Sequence, residues 1–589
     1  MNIVLSTLNA KYIHTNIAIR YLKAYAEPEY TCELAEFTIH DPTLSIVSDL
    51  YQHSPDVVGF SAYIWNIEET IKAIRLLKLT SPHTIVVCGG PEVTYDYDQW
   101  LERVPEIDYI VIGEGEKTFK DLLQAIDGKM NITDVQGIAY RQEKQLKITA
   151  PGPKLDLRTL PSPFRFTEDI PHLPNRVVYI ETSRGCPFSC QFCLSSIEVG
   201  VRYFNRDAIK EDIRYLMANG AKTIKFVDRT FNISRSYAME MFQFLIDEHV
   251  PGTVFQFEIT GDIMRPEVIQ FLNDHAPAGL FRFEIGVQST NDLTNELVKR
   301  RQNFTKLSRT VTMVKEGGKI AQHLDLIAGL PEEDYASFRD TFNEVFALRP
   351  EELQLGFLKL LRGTGLRIQA EQYGYRYIDT APYEIVSNNV LSFDDMLKIK
   401  QTEDILEKYW NSGRFIHSME YIVTTLVETP FDFFQLFGNF WEKQGWSRIG
   451  HQFEDLFTRL EQFLRDVLQV DMAVAQSLMK LDYLLHQKFL PRKIWWAPSS
   501  TLQEEQIKDI NQLLVHSPHL LGDSFETYRY TERTIRKQVF ITETAAKVLD
   551  DFTVVEEPGY LIVQYSPGET ATHYHLSQST VDSVKEYQK

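Results

Sequence analysis

The chain has 589 residues, 43% hydrophobic and 24% charged, with 61 Lys and Arg against 81 Asp and Glu for a formal net charge of -20. This length exceeds one hydrophobic core and sets an expectation of about three or four domains. The acidic balance disfavours nucleic acid as a partner, because backbone binding depends on Lys and Arg neutralising phosphates. No apolar run approaches the roughly 20 residues that cross a bilayer, and the five cysteines lack the even, dispersed pattern of a secreted disulfide framework. A cytoplasmic protein with no membrane partner is expected.

Residues 1–130 alternate short apolar strands with amphipathic stretches. Strands are expected at Asn2 to Leu5, Tyr30 to Ile39, Asp56 to Ala62, Thr84 to Cys88 and Tyr109 to Ile112, with a helix over Ile67 to Leu79. That order predicts a doubly wound parallel sheet, with its ligand beyond the carboxyl ends of the strands. The residues there are small or polar: Asn9 and His14 in LNAKYIHT, then Ser61 and Tyr63, then Gly89, Gly90 and Glu92, then Gly113 and Gly115. Glycines at these places let a large planar ligand approach the backbone, although a turn glycine is the simpler reading of each alone. No GxGxxG fingerprint supports a dinucleotide.

Residues 131–175 read as a linker, with a small hairpin in DVQGIAYRQEKQLKI followed by the proline-rich PGPKLDLRTLPSPFRF. From Arg176 the strands VVYIET, TIKFVD, VFQFEIT, LFRFEIGVQ, AQHLDLIAGL and LQLGFLKLL alternate with helices near Arg206 to Met217, Arg235 to Glu248, Pro266 to Asn273, Phe304 to Lys315 and Tyr335 to Leu348. Six β/α units over residues 176–375 predict a partial (β/α)6 barrel with functional groups at the carboxyl ends of its strands. Asp228, Glu258, Asp262, Glu284, Gln288, Asp325 and Lys359 are the candidates. A carboxylate set in a strand needs a cationic or hydrogen-bonding partner.

The first barrel strand runs into ETSRGCPFSCQFC, which holds Cys186, Cys190 and Cys193 as CxxxCxxC. Three thiolates on one loop can hold three corners of an iron-sulfur cube and leave one iron open. A structural zinc loop is the alternative, and would want a fourth Cys or His nearby.

CxxxCxxC after a strand, with Phe192 before the last cysteine, resembles the signature of radical S-adenosylmethionine (SAM) enzymes. VVGFSAYIWN, VVCGGPEVT and YIVIGEGEKTF resemble the cobalamin-binding domain that precedes the radical SAM core in one large subfamily, whose members include class B methyltransferases and the anaerobic Mg-protoporphyrin ester cyclases. The resemblance implies three cofactors: a 4Fe-4S cluster on Cys186, Cys190 and Cys193, SAM on the open iron, and cobalamin over the first sheet. It implies catalytic roles for Asp228, Glu284 and Asp325, with Asp228, Glu284 and Gln288 also binding cofactor. Arg229 stands where the VDDxF pattern has its second Asp, and Tyr12 and Ile17 stand where the cobalt-ligating DxHxxG motif has its Asp and Gly. His14 could still approach the cobalt or the corrin edge.

Methylation of an unactivated carbon of a small molecule, with electrons from a flavodoxin or ferredoxin type donor, is the implied activity. Cyclisation or rearrangement without methylation, a non-catalytic iron-sulfur and cobalamin carrier, and RNA modification are the alternatives. Residues 376–589 resemble a family-specific C-terminal extension, expected to be mainly helical with a few strands. Helices are expected over Ser392 to Trp410, Phe415 to Thr429, Gln452 to Val470 and Met472 to Gln487, and extended segments over Tyr528 to Thr542 and Gly559 to Gln564. His573 and His575 are expected as a solvated pair, and the aromatics of Phe431 to Trp446 as core.

Overall fold

In the computed structural model, residues 1–197, 200–496, 504–526, 528–549, 551–566 and 568–587 are described. Two compact units divide the chain, Met1–Met396 and Leu397–Lys589.

The first unit opens with strands β1 (Ile3–Asn9), β2 (Cys32–Thr38), β3 (Val57–Ser61), β4 (Ile85–Gly89) and β5 (Tyr109–Val111), joined by helices and paired in parallel in the order β2-β1-β3-β4-β5. The order reverses between β1 and β3, which opens a crevice at their carboxyl ends. Val4, Val58, Val86 and Ile110 are buried under the helices of one face, and Ile3, Val57, Val87 and Val111 under those of the other. Both faces are covered, so the strands read as nearly continuous apolar runs. The hairpin expected in the linker forms as β6 (Ile138–Gln142) and β7 (Gln145–Ile148), and it extends this sheet by pairing antiparallel onto β5.

The second sheet takes β8 (Val177–Ile180), then, after a short hairpin of β9 (Ser183–Cys186) and β10 (Gly200–Tyr203), continues with β11 (Thr223–Phe226), β12 (Val254–Ile259), β13 (Phe281–Gln288), β14 (Ala321–Ala328) and β15 (Glu352–Phe357). Its order is β15-β14-β13-β12-β11-β8, all parallel. This is the expected six-stranded open barrel.

Along β13 and β14 buried residues alternate strictly with half-buried ones. The buried set is apolar and faces the helices, where Phe226, Phe257 and Phe283 stack with Phe231 and Phe242; the Phe226 and Phe257 ring centroids are 4.5 Å apart. The half-buried set, which includes Glu258, Glu284 and Asp325, faces the barrel interior. One strand pattern therefore supplies both the core and the polar cavity wall.

The second unit has helices Ile416–Tyr421, Pro430–Lys443, Phe453–Phe463 and Met472–Leu485 and an antiparallel sheet of Val539–Val548, Val554–Gln564 and Thr572–Ser577. Phe433 and Phe437 are buried against Phe463, as expected of core aromatics. The extended reading of Tyr528 to Thr542 fails over Glu532–Gln538, which is helical because Thr531 and Thr534 form a capping box. His575 is not solvated: its side chain is 9% exposed and its Nε2 lies 3.0 Å from the Glu557 carbonyl.

Candidate functional site

Leaving β8, the chain passes through Thr182 into the β9–β10 hairpin, whose first strand ends on Cys186. Gly185 has φ +96°, and a Cβ there would overlap the Gly200 carbonyl oxygen, so only glycine lets the hairpin close at this point. The loop that follows is pinned on both sides. Gln191 N donates to Val298 O and Leu366 N donates to Gln191 O, each at 2.9 Å, while Ser196 Oγ lies 2.7 and 2.6 Å from the carbonyls of Cys190 and Cys193.

Cys186, Cys190 and Cys193 line one cavity of about 270 Å³, faced by Glu258, Glu284, Gln288 and Asp325 and by Arg229 and Arg300. Burial raises the Cys186 and Cys190 thiols above their ordinary value, and at Cys190 the Arg300 charge opposes the shift. Among the described residues no three His, Cys, Asp or Glu side chains converge on a single metal position. Three thiols spread along a cavity rim fit a multi-iron cluster better than one zinc ion with donors at about 2.3 Å.

The predicted carboxylates divide. Glu284 lines the cavity and takes both of its oxygens to Lys225 Nζ, at 2.8 and 2.6 Å. Asp325 lines it too, 3.1 Å from His323 Nε2; burial alone would lower the His323 pKa, but the neighbouring Asp325 carboxylate carries it above the usual value. Gln288 reaches the cavity from a left-handed backbone position, φ +70°, beside the register shift in β13. Glu258 also lines it, and burial holds its carboxyl above the usual range.

Asp228 is not among the cavity-lining residues. It is 1% exposed and accepts from Thr182 N at 3.0 Å, Thr182 Oγ1 at 2.7 Å and Ser183 Oγ at 2.5 Å, so it anchors the entry to the cysteine loop. Burial pushes its carboxyl up to about 6. Asp262 likewise accepts from Asn303 N at 3.0 Å, and Lys359 is exposed. Lys225 and Arg300 were not legible as site residues. Lys225 sits on the inward face of β11 and could have been read from strand alternation, whereas nothing in the KRRQN run marks Arg300.

At the first sheet, Ser61, Gly89 and Gly113 sit at the mouth of the crevice between β1 and β3 or beside it. Gly113, φ +79°, faces open space in which a Cβ would meet nothing. Gly90, φ +115°, instead lies so close to the Ala62 carbonyl that a Cβ would overlap it. Tyr63 stacks on Trp65 with ring centroids 4.3 Å apart, and Trp65 is 49% exposed at this rim. These residues fit a flat ligand lying over the strand ends.

Other residues predicted here are engaged inside the chain. Asn9 ends β1 instead of opening the loop, and its Nδ2 donates to His14 O and Glu36 Oε1, each at 3.1 Å. Gly115 packs on Leu22. Glu92 is 4% exposed, hydrogen-bonded by the Tyr383 hydroxyl with Arg362 nearby, and burial pushes its carboxyl up to about 7.

The two sheets meet at charged contacts. Arg184, two residues before Cys186, donates to Glu181 at 3.0 Å and to Glu116 after β5 at 2.6 Å, and Arg202 pairs with Glu114. His14 bridges to Val177 of β8 through its main chain, and its Nδ1 is 2.7 Å from the Tyr179 hydroxyl. Its ring is held against the barrel's edge strand.

Residues 3–123 match the B12 binding domain and residues 180–345 the radical SAM superfamily. The chain carries a B12-binding domain followed by a radical SAM domain. Its cofactors are those of the two domains, cobalamin, an iron-sulfur cluster and SAM. Residues 371–559 match a third family, described as a protein of unknown function (DUF4080).

The cobalamin-dependent radical SAM methyltransferase TokK of Streptomyces tokunonensis is 26% identical over 361 residues, 56% of this chain and 51% of TokK. The anaerobic magnesium-protoporphyrin IX monomethyl ester cyclase of Synechocystis is 28% identical over 284 residues, 46% of this chain and 56% of the cyclase. The chain thus spans about half the length of the curated relatives it matches. The radical SAM methyltransferase TsrM from Kitasatospora setae, solved with cobalamin and a [4Fe-4S] cluster bound, shares the fold with a TM-score of 0.56 at 17% identity, covering 65% of this chain and 78% of TsrM. Among the described residues no helix is long and apolar enough to cross a membrane.

Proposed function

We propose that this radical SAM protein is a cobalamin-dependent methyltransferase acting on an unactivated carbon of a small molecule. The observation that carries the reading is the single cavity in which three thiols face Glu258, Glu284, Gln288 and Asp325, in a chain that also holds a B12-binding domain. When bound, the cluster supplies the electron that splits SAM to a 5′-deoxyadenosyl radical and cobalamin supplies the methyl group. Cys186, Cys190 and Cys193 would hold the cluster. Glu284, fixed by Lys225, and Asp325, beside His323, would offer carboxylates to the ammonium and ribose of SAM. Ser61, Tyr63, Gly89 and Gly113 would support the corrin, and the ion pair of Arg184 with Glu116 ties the cysteine hairpin to the first sheet.

Reducing equivalents come from a flavodoxin or ferredoxin type donor in this reading, and the protein works in the cytoplasm, where thiols stay reduced. Similarity to the ester cyclase supports a second reading, ring formation without methylation. Anaerobic reconstitution, reduction and addition of SAM should release 5′-deoxyadenosine, and Cys190→Ala should abolish the release. Accompanying S-adenosylhomocysteine identifies methyl transfer; its absence during substrate turnover identifies the second reading.

A further inference from the structure

Two arginines line the cavity beside the cysteine loop. Arg300 is engaged, donating to Gly286 O at 2.5 Å and Gln302 Oε1 at 3.1 Å. Arg229 is exposed to the cavity. Its main-chain carbonyl accepts from Thr230 Oγ1 at 2.7 Å, but its guanidinium has no hydrogen bond or ion pair among the described residues.

The charge of Arg229 is felt on two sides. Burial raises the Tyr63 phenol at the rim of the first sheet, and Arg229 opposes that shift; it opposes the burial-driven rise at Cys186 and Glu258 in the same way. The guanidinium opens into the cavity that Cys186, Cys190 and Cys193 line. Neighbouring carboxylates do not neutralise it. Glu181 is taken by Arg184 and Glu284 by Lys225, and among the described residues Glu258 makes no hydrogen bond or ion pair with Arg229. Water can solvate Arg229 while the cavity is open, but filling the cavity strips that water, and an unpaired buried cation is costly. The planar fork of a guanidinium matches two oxygens of a carboxylate or phosphate.

We infer that Arg229 selects the substrate: the molecule acted on carries a carboxylate or phosphate that docks on this guanidinium, beside the cysteine loop. The inference rests on the reading of this cavity as the place where SAM and substrate meet.

The test uses the reconstituted holoenzyme and a low-molecular-weight cell extract split on an anion-exchange resin. The retained, anionic fraction is expected to stimulate 5′-deoxyadenosine formation and the flow-through is not. Arg229→Gln should raise the amount of retained fraction needed for half-maximal stimulation about tenfold or more, without a matching rise in the KM for SAM, and Arg229→Lys should restore part of the loss. Phosphatase treatment separates the sources: a phosphate substrate loses its effect and a carboxylate keeps it. Independently of turnover, phenylglyoxal labelling of the reconstituted protein, read by peptide mass spectrometry, should mark Arg229 ahead of the paired Arg184, and the retained fraction should slow it.

Stimulation by the flow-through alone or by neither fraction overturns the inference, as does an Arg229→Gln enzyme as sensitive as the wild type. An equal rise in the KM for SAM also overturns it, because Arg229 would then serve the SAM carboxylate. Methyl-deuterated SAM in the same incubations reads the methyl-transfer proposal separately: stimulated 5′-deoxyadenosine with no labelled product removes methyl transfer and leaves the anion assignment standing.

Discussion

Replacing Asp228 separates a chemical carboxylate from a structural one. The side chain is fully enclosed and accepts three hydrogen bonds from Thr182 and Ser183, the residues that lead into Cys186. Burial raises its pKa from 3.8 to about 6, which at about 1.4 kcal/mol per unit is an ionisation penalty on the order of 3 kcal/mol. The folded value exceeds the unfolded one, so the contribution to stability is fullest below pH 3.8 and declines as pH rises through about 6.

Asp228→Asn removes that penalty and keeps an acceptor for the Thr182 amide, while the two hydroxyls can turn to accept from the new amide group. A net change within about 1 kcal/mol is expected. Asp228→Ala leaves the Thr182 N–H and both hydroxyls unpaired in the interior, a loss on the order of 3 to 5 kcal/mol. Hydrogen exchange at residues 182–186 and the iron content after reconstitution report both outcomes. Asn should keep the protection and the iron, and Ala should lose both. An Asn variant that holds its iron but releases no 5′-deoxyadenosine would return Asp228 to the chemistry, and an Ala variant with normal protection and iron would refute the anchoring role.

Three further outcomes follow from the same geometry. Burial raises Glu92 from 4.5 to about 7, so its contribution is lost as pH rises through that value; chemical denaturation from about pH 5 to pH 8 should show wild-type stability falling more steeply than that of Glu92→Gln, by up to about 3 kcal/mol. Arg184→Met leaves Glu116 and Glu181 without their cation, with Glu116 only 5% exposed, and should cost about 3 to 5 kcal/mol in denaturant unfolding, part of it recovered by adding Glu116→Gln. For His14, held on Tyr179 and Val177, His14→Ala should leave the cob(II)alamin electron paramagnetic resonance spectrum unchanged; loss of a nitrogen splitting in the variant would make His14 a cobalt ligand.

Much of the fold was legible because periodicity is a local property. The parallel strands and the helices of the first unit appear within a few residues of where alternation and caps place them, and Asn205, Ser234 and Asn303 cap helices as their types suggest. The cysteine loop was legible because three thiols at this spacing have few other uses.

What stayed hidden depends on partners far away in sequence. Asp228 and Glu284 read alike as polar residues of barrel strands, yet one is closed in by Thr182 and Ser183 and the other opens on the cavity. Asn9 and Glu92 looked like ligands because they stand near strand ends, but Glu36 and Tyr383, distant in the chain, engage them. The helix at Glu532–Gln538 was missed because its capping box lies in a stretch whose β-branched and aromatic residues suggest a strand.

The most direct measurement is Mössbauer spectroscopy of the iron-57 reconstituted protein before and after SAM is added. A cluster held by Cys186, Cys190 and Cys193 alone should show one iron of four whose isomer shift moves when SAM binds. Four irons that stay alike, or a protein that takes up a single zinc ion on this loop in place of iron, would contradict it.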